Sequence, residues 1–112
     1  MTSWQDQYYV FDLLILIEKI RDRPLLYLTE ESIECFDCYI GGWIHGVGDR
    51  QIGDKDLLYN FSEWVTNKYK KPGPAGWVRT IKFYSNDSHH ALIMFFELWD
   101  EYNEISRRDT NT

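Results

Sequence analysis

The sequence predicts an all-α fold, a single compact domain of about five helices. Two observations carry this expectation. Apolar residues recur three and four positions apart through successive stretches, the period of a helix face. Glycine and proline clusters fall between those stretches rather than inside them, apart from Gly41-Gly42. A chain of 112 residues suits one domain and can bury a core without a disulfide or metal staple. The helical domain is expected over residues 1–105, with a frayed tail over 106–112.

The first helix is read from Leu13, Leu14, Ile17 and Ile20, led by Trp4, Tyr8 and Phe11. Arg21 and Arg23 suit its last turn and Pro24 stops it. Thr29 reads as the N-cap of a second helix, with Glu30 and Glu31 in the first turn where the helix dipole favours anions. Ile33, Phe36, Ile40, Trp43, Ile44 and Val47 form its inward stripe. Gly41-Gly42 interrupts that helix and costs roughly 0.5–1 kcal/mol per glycine relative to alanine. A tight helix crossing or a break is the expected reason; close approach of a partner backbone is the other. Asp54 or Asp56 caps a third helix whose inward residues are Leu57, Leu58, Phe61, Trp64, Val65 and Tyr69. "PGPAG" (72–76) ends it. Trp77, Val78, Ile81 and Tyr84 fit a short helix, but Ile81 and Phe83 also alternate, so the segment near 77–84 reads as helix or strand. Asn86, Asp87 or Ser88 caps the last helix, with Ala91, Leu92, Phe95, Trp99 and Tyr102 inward.

Composition excludes several function classes. With 44% hydrophobic and 17% aromatic residues the chain is not disordered. No apolar run approaches the roughly 20 residues of a membrane span, and no signal peptide is recognised, so a cytoplasmic protein is expected. Eighteen acidic residues against twelve basic ones give a net charge of −6, which argues against nucleic-acid binding and suits a basic partner.

The motifs that could carry chemistry are weak. Cys35 and Cys38 form a C-x-x-C, but a structural zinc site needs four ligands. His89 and His90 project about 100° apart on a helix and chelate poorly. A redox C-x-x-C places its first cysteine at a helix start. Cys35 lies about six residues past Thr29 and no βαβ pattern surrounds it, so two small semi-buried thiols are expected. "GVGDRQIG" lacks the third glycine of a dinucleotide loop. His45 beside a glycine loop is the best single catalytic candidate, and a surface histidine is the simpler reading. No catalytic residue, metal ligand or cofactor is assigned.

"IRDRPLLYLTEESIECFDCYIGGW" (20–43) resembles a motif of small bacterial proteins, in which an Arg-x-Arg-Pro-like turn leads through a "MYLG"-like segment to a "SI..L..FI.GY"-like helix. Ile20 to Pro24, Leu26 to Thr29, Ser32, Ile33, Phe36, Ile40, Gly42 and Trp43 carry it. Leu26 stands where that group has methionine, and Thr29 where it has glycine. "FSEWV" (61–65) and "ALIMFFELWDEY" (91–102) resemble the group's later helices. Such proteins look like immunity proteins of bacterial polymorphic toxin systems, including contact-dependent growth inhibition. The resemblance implies a cytoplasmic protein that binds and neutralises a cognate toxin domain, with no catalytic site to carry over.

An acidic inhibitor suits a nuclease toxin, because it can imitate the phosphate backbone and be steered to a basic surface. The candidate partner-binding residues are Glu30, Glu34 and Asp37 on the second helix, Glu97, Asp100, Glu101 and Glu104 on the last, and Tyr39 as an aromatic anchor. No nucleic-acid or membrane partner is expected. The alternatives are a small metal- or histidine-dependent hydrolase, and a regulatory ligand-binding module using the basic segment 68–82.

Overall fold

Asp12 opens the first helix of the computed structural model, which describes residues 12–47, 52–70 and 76–110. Its carboxylate accepts from the Ile15 amide at 3.0 Å, an N-cap for α1 (Leu13–Asp22). Leu13, Leu16, Ile17 and Ile20 are fully buried. Leu14 is 43% exposed, so Leu16 takes the place the sequence assigned to it. Leu16 falls one turn from both Leu13 and Ile20, whereas Leu14 projects about 100° away from Leu13. Trp4, Tyr8 and Phe11 lie outside the described residues.

Pro24 both ends α1 and starts α2 (Pro24–Tyr27), because its fixed φ and missing N–H suit a first helical position. Ser32, not Thr29, caps α3 (Ile33–Val47): its hydroxyl accepts from the Cys35 amide at 3.2 Å. Glu30 and Glu31 therefore precede the helix. Ile33, Phe36 and Ile40 face the core. Gly41-Gly42 neither breaks α3 nor sits at a crossing; a Cβ at either position would meet nothing within 4 Å. Gly41→Ala and Gly42→Ala should each raise stability by about 0.5–1 kcal/mol. A lower melting temperature in either variant would show that this face is occupied.

α4 (Ile52–Lys68) begins before Asp54 and Asp56, so neither caps it. Two residues past its end, Lys70 takes the left-handed φ of 51° that commonly terminates helices. Among its described side chains Phe61 and Val65 are buried, while Leu57, Leu58, Trp64 and Tyr69 pack at the edge. The segment that read as helix or strand is a helix, α5 (Gly76–Tyr84). Trp77, Thr80 and Ile81 share one buried face, and Phe83, which a strand would have buried with Ile81, is exposed. The Trp77 amide donates to Ser62 Oγ at 3.1 Å, tying α5 to α4. Asp87 caps α6 (Ser88–Thr110), accepting from the His90 amide at 2.7 Å. Residues 106–110 continue α6 rather than fraying. Arg107 and Arg108 suit its C-terminal dipole, and Arg108 pairs with Glu104 one turn back at 2.8 Å.

The described residues thus form one all-α unit of six helices, one of them a single turn. α6 packs against α3, α4 and α5 and forms the spine. Phe95 is the hub of an aromatic core. Its ring lies 4.6 Å from Phe36 of α3, 5.3 Å from Phe61 of α4 and 5.0 Å from Trp77 of α5. Trp99 and Ala91 extend the same buried stripe of α6. Trp43 and Trp64 lie only partly inside it. No helix among the described residues is long and apolar enough to cross a membrane.

Candidate functional site

The acids of α6 divide by direction. Asp100 takes Arg21 of α1 in a two-point ion pair, both contacts 2.7 Å. That pairing holds the Asp100 carboxyl below its usual range and raises the Arg21 guanidinium. Glu101 pairs with Lys68 of α4 at 2.9 Å, and the same ammonium lies over the Trp64 ring. Glu104 pairs with Arg108. Of the four acids predicted to form one ridge, three are matched by a base of this chain. Glu97 alone has no ion-pair partner among the described residues.

Glu34 is also matched internally. It accepts from the Ser88 hydroxyl at 2.8 Å and from Lys82 at 3.1 Å, joining α3 to α5 and to the start of α6. These two hydrogen bonds hold its carboxyl below the usual range. Lys68 and Lys82 are thereby drawn out of the basic segment 68–82, which weakens it as an anion-binding patch. His90 takes part in the start of α6, where its Nδ1 accepts from the Asn86 amide at 3.0 Å. His89 Nδ1 lies 3.2 Å from the Glu31 carbonyl. His45 is exposed in the last turn of α3. No three histidine, cysteine or acidic side chains among the described residues come together as a metal site.

What remains is the corner where α2 turns into α3. Leu25 and Leu26 are 65% and 69% exposed on α2. Glu30 and Glu31 follow in the turn, both exposed and without a basic partner among the described residues. Tyr27 and Tyr39 meet edge to face at 5.9 Å and share an open cleft with Thr29, Glu34, Cys35 and Cys38. The structure therefore brings Glu34 and Tyr39 onto one cleft, with Glu30 at its edge, 4.0 Å from Cys35 Sγ. It places Glu97, Asp100, Glu101 and Glu104 on α6, outside that cleft. Between the Pro24 stop and the Thr29 cap the sequence assigns Leu25 and Leu26 no role; two adjacent apolar residues with no second turn to share a buried stripe were the available signal.

Comparison with protein-family models, with curated proteins and with solved structures returned no match to this chain. The site is therefore argued from its own chemistry.

Asp37 is set apart from the other acids. It has no basic partner among the described residues, and partial desolvation pushes its carboxyl above the usual range. A raised folded value means that, at pH values between the unfolded and the folded one, the folded state holds more protons than the unfolded state. Stability is lost across that window and stays reduced above it. Asp37→Asn should therefore melt slightly higher than the parent at neutral pH, modestly because Asp37 is exposed, with the difference vanishing in acid where both side chains are neutral. Asp100 and Glu34 have the opposite sign. Their stabilisation is present at neutral pH and is lost as pH falls below the usual carboxylate range, modestly because both are exposed. An Asp37→Asn protein that melts no higher at neutral pH would show that water reaches this carboxylate freely.

Proposed function

We propose that this chain is an immunity-type protein that binds and neutralises a cognate bacterial toxin domain, a nuclease in the simplest case, in the cytoplasm. The observation that carries this reading is the α2–α3 corner. Exposed Leu25 and Leu26 lie a few residues before Glu30 and Glu31, whose charges no base among the described residues offsets. An apolar centre with a polar rim is the anatomy of a protein interface, and adjacent exposed leucines form the kind of apolar patch that marks an interaction site. The acidic rim suits a basic surface such as a nuclease uses to hold phosphates. The resemblance of residues 20–43 to toxin-immunity proteins falls on the same corner. Binding alone suffices for this role, so the reading assigns the chain no catalysis and no cofactor.

The test is co-expression with the product of the adjacent gene. If the reading holds, that product is lethal alone and tolerated when this chain is present. A harmless neighbour, or a lethal one that this chain does not restrain, sinks it.

A further inference from the structure

Ser32 caps α3, so Cys35 is the third residue of that helix and not a mid-helix thiol. Its sulfur lies at the positive end of the helix dipole, which favours a thiolate. Cys38 follows one turn later, is exposed, and lines the same open cleft. Both thiols are free. In a regular helix residues three apart have Cα atoms about 5 Å apart, inside the range that a disulfide spans. We propose that Cys35 and Cys38 are a redox-active dithiol that exchanges with low-molecular-weight disulfides, Cys35 attacking and Cys38 resolving.

The local groups sort the two roles. The Thr29 hydroxyl lies 3.5 Å from Cys35 Sγ and can donate to a thiolate there. Hydrogen bonding by Ser32 and then Thr29 holds the Cys35 thiol below its ordinary value. Glu30, with Oε1 at 4.0 Å, opposes this, while the nearby Glu34 carboxylate is engaged by Lys82 and Ser88. Cys35 is partly exposed on the open cleft, where a small disulfide can reach it, and Cys38, one turn on and lining the same cleft, is placed to resolve the mixed disulfide. In the first step the Cys35 thiolate attacks one sulfur of the disulfide, forming a mixed disulfide and releasing one thiolate, which takes a proton. In the second the Cys38 thiol loses its proton and attacks Cys35 Sγ, releasing the second thiol. The two cysteines are oxidised together, and one small disulfide is reduced to two thiols.

Closure has a structural cost. Side chains one helical turn apart hold their Cβ atoms about 5–6 Å apart, and a disulfide wants about 3.5–4.5 Å. The first turn of α3 must tighten against its Ser32 cap, so the bond is strained and readily reduced. This proposal stands independently of toxin binding.

The full-length chain is equilibrated in glutathione buffers of graded oxidised fraction, then mapped by peptide mass. The wild type is expected to lose two hydrogens at a disulfide linking Cys35 to Cys38 within one chain. Cys38→Ser is expected to stop at a single glutathione on Cys35. On the folded wild type at neutral pH, iodoacetamide should label Cys35 several-fold faster than Cys38, a readout that needs no variant to fold. Thiols that stay reduced at every buffer ratio, or that link only between chains, overturn the proposal. Faster labelling of Cys38 overturns the assignment of Cys35 as the attacking thiol.

Discussion

Phe95→Ala is expected to lower the stability of the fold by about 3–5 kcal/mol. Phe95 is fully buried and its ring meets residues of α3, α4 and α5 as well as Trp99 of its own helix. Truncation removes the transfer free energy of the ring and leaves a void that rigid neighbours cannot fill. A loss of this size is a large share of the roughly 5–15 kcal/mol that holds a typical domain. Trp64→Ala provides the contrast. Trp64 is only half-buried and stacks on Phe61 from the edge, so it should cost less despite its larger ring. Denaturant titration of both variants checks the order. If Trp64→Ala proves the more damaging, the centre of the core lies nearer α4 than these contacts place it.

If the proposed toxin-binding reading holds, replacing Leu25 and Leu26 together with aspartate should weaken that binding by about 100-fold, roughly 2.7 kcal/mol, with little change in melting temperature. Both side chains are mostly exposed, so the fold loses little when they go, and surface changes of this kind usually fall within about 0.5 kcal/mol. An interface centred on them would lose apolar contact and gain two charges that must be desolvated. Titration of the purified toxin domain with parent and variant reads the effect. Unchanged affinity would move the interface away from the α2–α3 corner.

The helical architecture was legible because burial follows a period that the sequence displays. Ile33, Phe36 and Ile40, or Ala91, Leu92, Phe95 and Trp99, mark their inward faces without further information. Helix starts were less legible, because Thr29 and Ser32 are both good caps. Only the observed hydrogen bond to the Cys35 amide selects Ser32. That shift of three residues changes the chemistry of Cys35 from an inert mid-helix thiol to one at a helix start. Charge was the least legible property. Asp100, Glu101 and Glu104 read as a uniform acidic ridge, yet their partners Arg21 and Lys68 come from α1 and α4, and pairing across 79 and 33 residues leaves no local signature. Arg108, one turn away, could have been anticipated from its spacing to Glu104.

The central proposal is that Glu30 and Glu31, without a basic partner among the described residues, steer this chain to a basic toxin surface. The most direct test is the association rate with the purified toxin domain across ionic strength, for the parent and for Glu30→Lys/Glu31→Lys. Exposed rim charges act mainly on encounter, and salt screens them. The double reversal should therefore associate several-fold more slowly at low salt and show a flatter salt dependence, while its circular dichroism stays helical. Equal rates and equal salt slopes in the two proteins would contradict the account.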